Sequence, residues 1–127
     1  MTHQALKEAH YIHTHREHFT DQGLADAIVS LGEWGLFSNR QIAEITGATM
    51  RQVCALTKKT DRTGGAFNPD ALPNVIELSE ARARGEKGGG AIRAALEGGV
   101  SLSMLARLTG APKSSLARHA EEEEAAA

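Results

Sequence analysis

One cysteine, Cys54, stands in 127 residues, so no internal disulfide can form and the fold must hold without covalent cross-links. That scarcity fits a reducing cytoplasm, the expected location. Aromatic residues are also few, with one Trp, one Tyr and three Phe. The core must therefore come from Leu, Ile, Val and Ala, which favours small helical packing. No apolar run approaches the roughly 20 residues that cross a bilayer. The polar start MTHQALKEAHYIHTH does not read as a signal peptide. Catalytic signatures are missing as well: there is no Gly-rich phosphate loop, no H-E-x-x-H and no nucleophile elbow. A tyrosine recombinase or serine resolvase needs a catalytic domain too large for this chain, and Tyr11 alone is no evidence of one. The expectation is a non-enzyme that takes no cofactor, no metal and no evident small-molecule substrate.

What is present is unevenly distributed. The net charge is −2, which taken alone argues against nucleic acid. Yet residues 1–37 carry −3, residues 38–63 carry +3, residues 64–80 carry −3, residues 81–120 carry +5 and residues 121–124 carry −4. Two basic islands lie in an acidic chain, and their placement says more about partners than the total does. The length suits one ordinary domain or two very small ones.

The basic islands repeat each other. SNRQIAEITGA (38–48) and SLSMLARLTGA (101–111) share the frame S-x3-[IL]-A-x-[IL]-T-G-A at an offset of 63 residues. Five residues after each Gly-Ala stands an apolar residue, Val53 or Leu116. With one gap, the likeness extends upstream, AIVSLGEWGLFS (27–38) against AIRAALEGGVS (91–101).

Each copy predicts three helices. In the first, Leu24, Ala27, Ile28 and Leu31 follow helical spacing until Gly32 and Gly35 end the run. Ser38 with Gln41, and Thr49 with Gln52, are capping boxes for the next two helices. Ile42, Ala43 and Ile45, then Val53 and Leu56, are expected to face inward. In the second copy the helices are expected at 90–97, 102–109 and 113–125. Gly98, Gly99 and Gly110 act as stops there, and Pro112 sits where a helix start tolerates it.

This pattern resembles the helix-turn-helix family, whose mark is a small residue, a Gly four residues on and an apolar residue six further. The sets are Ala43, Gly47, Val53 and Ala106, Gly110, Leu116. A small side chain lets two helices cross closely, and Gly takes the positive φ of the sharp turn. The stretch VSLSMLARLTGAPKSSLARH is also similar to operator-reading units of phage and mobile-element regulators from high-GC bacteria. The resemblance covers roughly 24–60 and 90–120. It implies an all-α chain of two small tri-helical helix-turn-helix units joined by a linker helix, with an additional N-terminal helix. The expected divisions are 1–63, 64–89, 90–120 and an acidic tail at 121–127.

The resemblance also implies that the third helix of each unit enters the major groove of double-stranded DNA. The base-reading candidates are Thr49, Arg51, Gln52 and Ala55, then Lys113, Ser114, Ser115 and Arg118. Arg can bond a guanine edge in bidentate fashion, and Gln an adenine edge. Phosphate contacts are expected from Asn39, Arg40, Lys58, Lys59, Arg62, Ser101, Ser103 and Arg107. The bland alternative for each charge is a solvated surface residue.

Between the copies, Ala71 to Arg84 reads as an amphipathic helix through Leu72, Val75, Ile76 and Leu78. At 1.5 Å per residue it spans roughly 20 Å, enough to hold two reading heads about one DNA turn apart. Gly85 and 88–90 read as a hinge. On this reading one chain reads two adjacent, non-identical half-sites. His10, His13, His15 and His18, with His3 nearby, invite a zinc reading, but no Cys or convergent carboxylate completes a usual set. An exposed polar helix, or one packing through Ala5, Leu6, Ala9 and Ile12, is the better account. Cys54 reads as a packed or half-buried thiol, and Glu121–Glu124 as a disordered or frayed end.

The function expected is a sequence-specific transcription regulator, a repressor from a phage or its bacterial host, with homo-oligomerisation left open. The alternatives are a DNA-architectural or recombination accessory factor, excisionase-like or small-terminase-like, and a protein-interaction module that kept the helix-turn-helix core.

Overall fold

The computed structural model of the protein describes residues 2–57 and 66–126. Among these residues it is all-helical, with no strand. Helix α1 (Thr2–His15) and a 3-10 turn (Arg16–His18) lead to α2 (Asp21–Trp34), α3 (Asn39–Thr46) and α4 (Met50–Leu56). A second 3-10 turn (Pro69–Ala71) opens α5 (Leu72–Ala83), followed by α6 (Gly89–Glu97), α7 (Leu102–Thr109) and α8 (Lys113–Ala126).

Short polar side chains set the starts of these helices. Thr20 Oγ1 accepts from Gly23 N–H at α2, Ser38 from Gln41 N–H at α3, Thr49 from Gln52 N–H at α4 and Ser101 from Met104 N–H at α7. Each satisfies a backbone donor that the helix itself leaves unpaired. At Ser38 and Thr49 the glutamine three residues on bonds back to the cap N–H, which completes both expected capping boxes. Glycines in left-handed conformation close α2, α3 and α7 at Gly35, Gly47 and Gly110.

One buried cluster runs through both halves of the chain. Helix α1 contributes Ala5, Leu6, Ala9 and Ile12, all buried, and packs against α2, α3, α5 and α7. It is therefore a central element of the core and not an appendage. The carboxylate of Glu8 fastens it to α2, accepting from Ser30 Oγ and Trp34 Nε1. His13 fastens it elsewhere: Nδ1 lies 3.0 Å from the Ile45 carbonyl and Nε2 lies 2.9 Å from Asp70 Oδ1.

Three expectations need correction. The segment expected to be a spacer, α5, is packed into the core: Leu72, Val75, Leu78 and Ala81 are buried, and the helix contacts α1, α6 and α7. An apolar stripe on a helix finds cover wherever the core offers it. Two of the glycines expected to form a hinge, Gly88 and Gly89, are packing positions, while Gly85 stands in open space and a Cβ on Gly90 would meet only Glu123 Oε1 at 3.8 Å. A Cβ on Gly88 would stand 2.6 Å from Leu78 Cδ1, and one on Gly89 would stand 2.9 Å from the His119 carbonyl oxygen. The acidic end is no frayed tail, because α8 continues through it to Ala126. There Glu122 Oε2 meets Lys87 Nζ and His119 Nδ1, each at 3.3 Å.

Candidate nucleic-acid interface

The two Thr-Gly-Ala turns have the same build. Gly47 and Gly110 take φ of 78° and 74°, and their N–H groups donate to Ala43 O and Ala106 O at 2.8 and 2.9 Å. The threonine before each glycine works twice. Its hydroxyl donates to the carbonyl four residues back, Thr46 to Ile42 at 2.8 Å and Thr109 to Leu105 at 2.7 Å. It also accepts from the alanine N–H after the glycine, at 3.3 Å in both copies. A helix end thus closes on itself and sends the chain at once into the next helix, after residues 47–49 or 110–112. Val53 and Leu116, both fully buried, pin that next helix down.

The helices delivered in this way are α4 and α8, and each packs on its predecessor while offering polar residues outward. Thr49, Arg51, Gln52 and Ala55 are exposed, as are Lys113, Ser114 and Arg118. Three of these groups are partly committed, Thr49 among them as the cap of α4, its Oγ1 accepting from Gln52 N–H at 3.2 Å. The Oε1 of Gln52 accepts from Thr49 N–H at 2.9 Å, so bidentate use of its amide requires opening the capping box. Ser115 is only half-exposed, with Oγ 3.3 Å from His119 Nε2.

The expected phosphate contacts divide further. Arg40 and Ser103 are exposed, and Arg40 Nε lies 3.9 Å from Glu44. Ser101 is half-buried and serves as the cap of α7. Arg107 is half-buried, with Nη1 enclosed and without a hydrogen-bond partner. Asn39 is buried: its Oδ1 accepts from Thr57 Oγ1 at 2.9 Å and its Nδ2 points to Cys54 Sγ at 3.8 Å. It ties α3 to the end of α4 and is not presented to a ligand. Lys58, Lys59 and Arg62 lie outside the described residues.

Two residues of α4 depart from expectation. Leu56 and Cys54 are exposed, because a helix this short turns only Val53 fully into the core. One residue escaped the sequence reading altogether. Met50 is 45% exposed at the start of α4, in the position that Lys113 holds in α8. The 63-residue offset pairs the two and was the signal available.

Glu122 is a carboxyl of α8 with a displaced titration. The His119 hydrogen bond, then that of Lys87, holds it below its ordinary value. Among the described residues no three His, Cys, Asp or Glu converge as metal ligands, and no helix is long and apolar enough to cross a membrane. No protein-family model, curated protein or solved structure matches the chain.

Proposed function

We propose that the protein binds double-stranded DNA in a sequence-dependent manner through α4 and α8, as a transcription regulator of repressor type. One observation carries this reading. The chain builds the same glycine-cornered turn twice, and each time follows it with a helix that exposes cations, Arg51 beside Met50 and Leu56 on α4, and Lys113 and Arg118 ahead of the acidic end of α8. Arg51 on α4, with Lys113 and Arg118 on α8, supplies groups suited to guanine edges or phosphates. The amide nitrogen of Gln52 and the hydroxyl of Ser114 add hydrogen-bonding reach. Arg40 and Ser103 flank them as backbone contacts. The positive charge sits at 38–63, which carries +3, and at the start of α8, where Lys113 and Arg118 precede the glutamates 121–124.

Binding of this kind releases counterions, so affinity falls linearly with salt on logarithmic axes. Fluorescence anisotropy with a labelled random-sequence duplex, from low to physiological salt, tests the reading. Binding that weakens steeply with salt, and weakens further in Arg51→Ala and Arg118→Ala, is the expected result. Absence of binding at the lowest salt would contradict it. Loss of repression at a reporter in Arg51→Ala separates a regulator from an architectural factor.

A further inference from the structure

Among the described residues three large apolar side chains are exposed, and two of them, Met50 and Leu56, stand on α4, a helix of seven residues. Single exposed apolar residues are ordinary on a protein surface, but a pair on so short a helix is a concentration. Leu56 has company from its own chain, since it lines a hollow with Leu24, Ala25 and Ile28 of α2. Met50 stands at the other end of α4, on its first turn, between Thr49 and Arg51, and is 45% exposed.

Helical geometry fixes the direction of these side chains. Val53 is fully buried and marks the inward side of α4. At about 100° per residue, Arg51 and Ala55 then lie one turn apart on the outward side, and both are exposed. Met50 lies on the flank next to them, one turn from Cys54, which is also exposed. Side chains on a helix lean toward its N-terminus, and methionine is long, unbranched and adaptable. Met50 therefore projects beside Arg51 at the end of the helix that meets base edges in a groove.

The second copy places different chemistry at the same positions. The 63-residue offset sets Met50 against Lys113, Cys54 against Ala117 and Ala55 against Arg118. Where α8 offers an ammonium and a guanidinium, α4 offers a thioether and a methyl, and Arg51 is the one charged residue of that helix. In the major groove the apolar group that a base pair presents is the 5-methyl of thymine; every other feature of the pattern is a hydrogen-bond donor or acceptor.

We propose that Met50 is a specificity-determining residue that packs on a thymine 5-methyl group beside the base pair contacted by Arg51. The inference rests on the DNA-binding reading above and names the base chemistry read by α4. The ammonium of Lys113 gains nothing from a methyl group and suits guanine or phosphate, so the dependence on thymine belongs to the half-site under α4 alone. Withdrawing one methyl group from water corresponds to about a four-fold change in affinity.

Removing that methyl group alone tests the proposal. A duplex selected from a random pool by the full chain is remade with deoxyuridine in place of thymidine, one position at a time, which leaves base pairing intact. At one thymine the exchange should weaken binding about four-fold. Met50→Ala should bind the two duplexes alike, whereas Met50→Leu should keep the preference. Met50→Lys gives α4 the residue that α8 carries at this position. It should lose the preference while still binding DNA tightly at low salt, so a failure to fold cannot imitate the result. Selected duplexes without an invariant thymine, a wild-type chain indifferent to every exchange, or a Met50→Ala chain that keeps the full preference would each overturn the proposal and leave DNA binding standing. No enrichment of any duplex would remove both readings.

Discussion

In each Thr-Gly-Ala turn the glycine holds a backbone conformation that a Cβ opposes, and the threonine hydroxyl closes the carbonyl end of the helix. A Cβ at Gly110 meets nothing within 4 Å, so Gly110→Ala isolates the backbone cost. Urea unfolding should show a loss of about 1–2 kcal/mol, and a neutral result would contradict the left-handed assignment. Gly89 and Gly90 make a sharper pair. A Cβ at Gly89 meets the His119 carbonyl at 2.9 Å, while one at Gly90 meets only Glu123 Oε1 at 3.8 Å. Gly89→Ala should destabilise by about 1–3 kcal/mol, whereas Gly90→Ala should be neutral or stabilise by up to about 1 kcal/mol. Equal effects would contradict the close approach of α6 to α8. Gly47 and Gly110 were legible in the sequence, since the motif spacing singles them out. The burial of Asn39 was not, because a polar residue next to a cap has many possible partners. Its partners Cys54 and Thr57 lie a helix away in the chain.

The elements themselves were largely legible. The helices of the second copy fall within a residue of the expected bounds, because caps and glycine stops are local signals. The extent of α8 was legible to within a residue, but the anchoring of its acidic end was not, because a run of glutamates gives no local sign of Lys87, which reaches it from before α6. The pH response of this end follows from the depressed titration of Glu122. A carboxyl with a folded-state value below its ordinary one stabilises the fold above that ordinary value, 4.5, and loses the contribution as pH falls through the folded value. Hydrogen exchange should therefore show α8 amides near Glu122 losing protection on acidification below pH 4.5, ahead of those in α3. Simultaneous loss would contradict the Glu122 anchor.

At the scale of the whole molecule the two copies share one buried cluster, with α1 and α5 at its centre. The amphipathic stripe of α5 predicted a helix correctly but could not say what would cover it, and a solvated spacer was an equally consistent reading. The consequence is cooperative unfolding. Leu72→Ala should cost about 2–5 kcal/mol and still leave a single transition. The sole tryptophan, Trp34 in the first copy, should report the same midpoint as far-ultraviolet circular dichroism. Two separated transitions would mean that the copies fold independently. The central claim, that α4 and α8 together form the DNA-contacting surface, is tested most directly by backbone amide shifts on titrating the labelled chain with duplex DNA at low salt. The account predicts the largest shifts at Arg51, Gln52, Lys113, Ser114 and Arg118, in both helices within the same titration. Shifts confined to one helix, or centred elsewhere on the molecule, would contradict it.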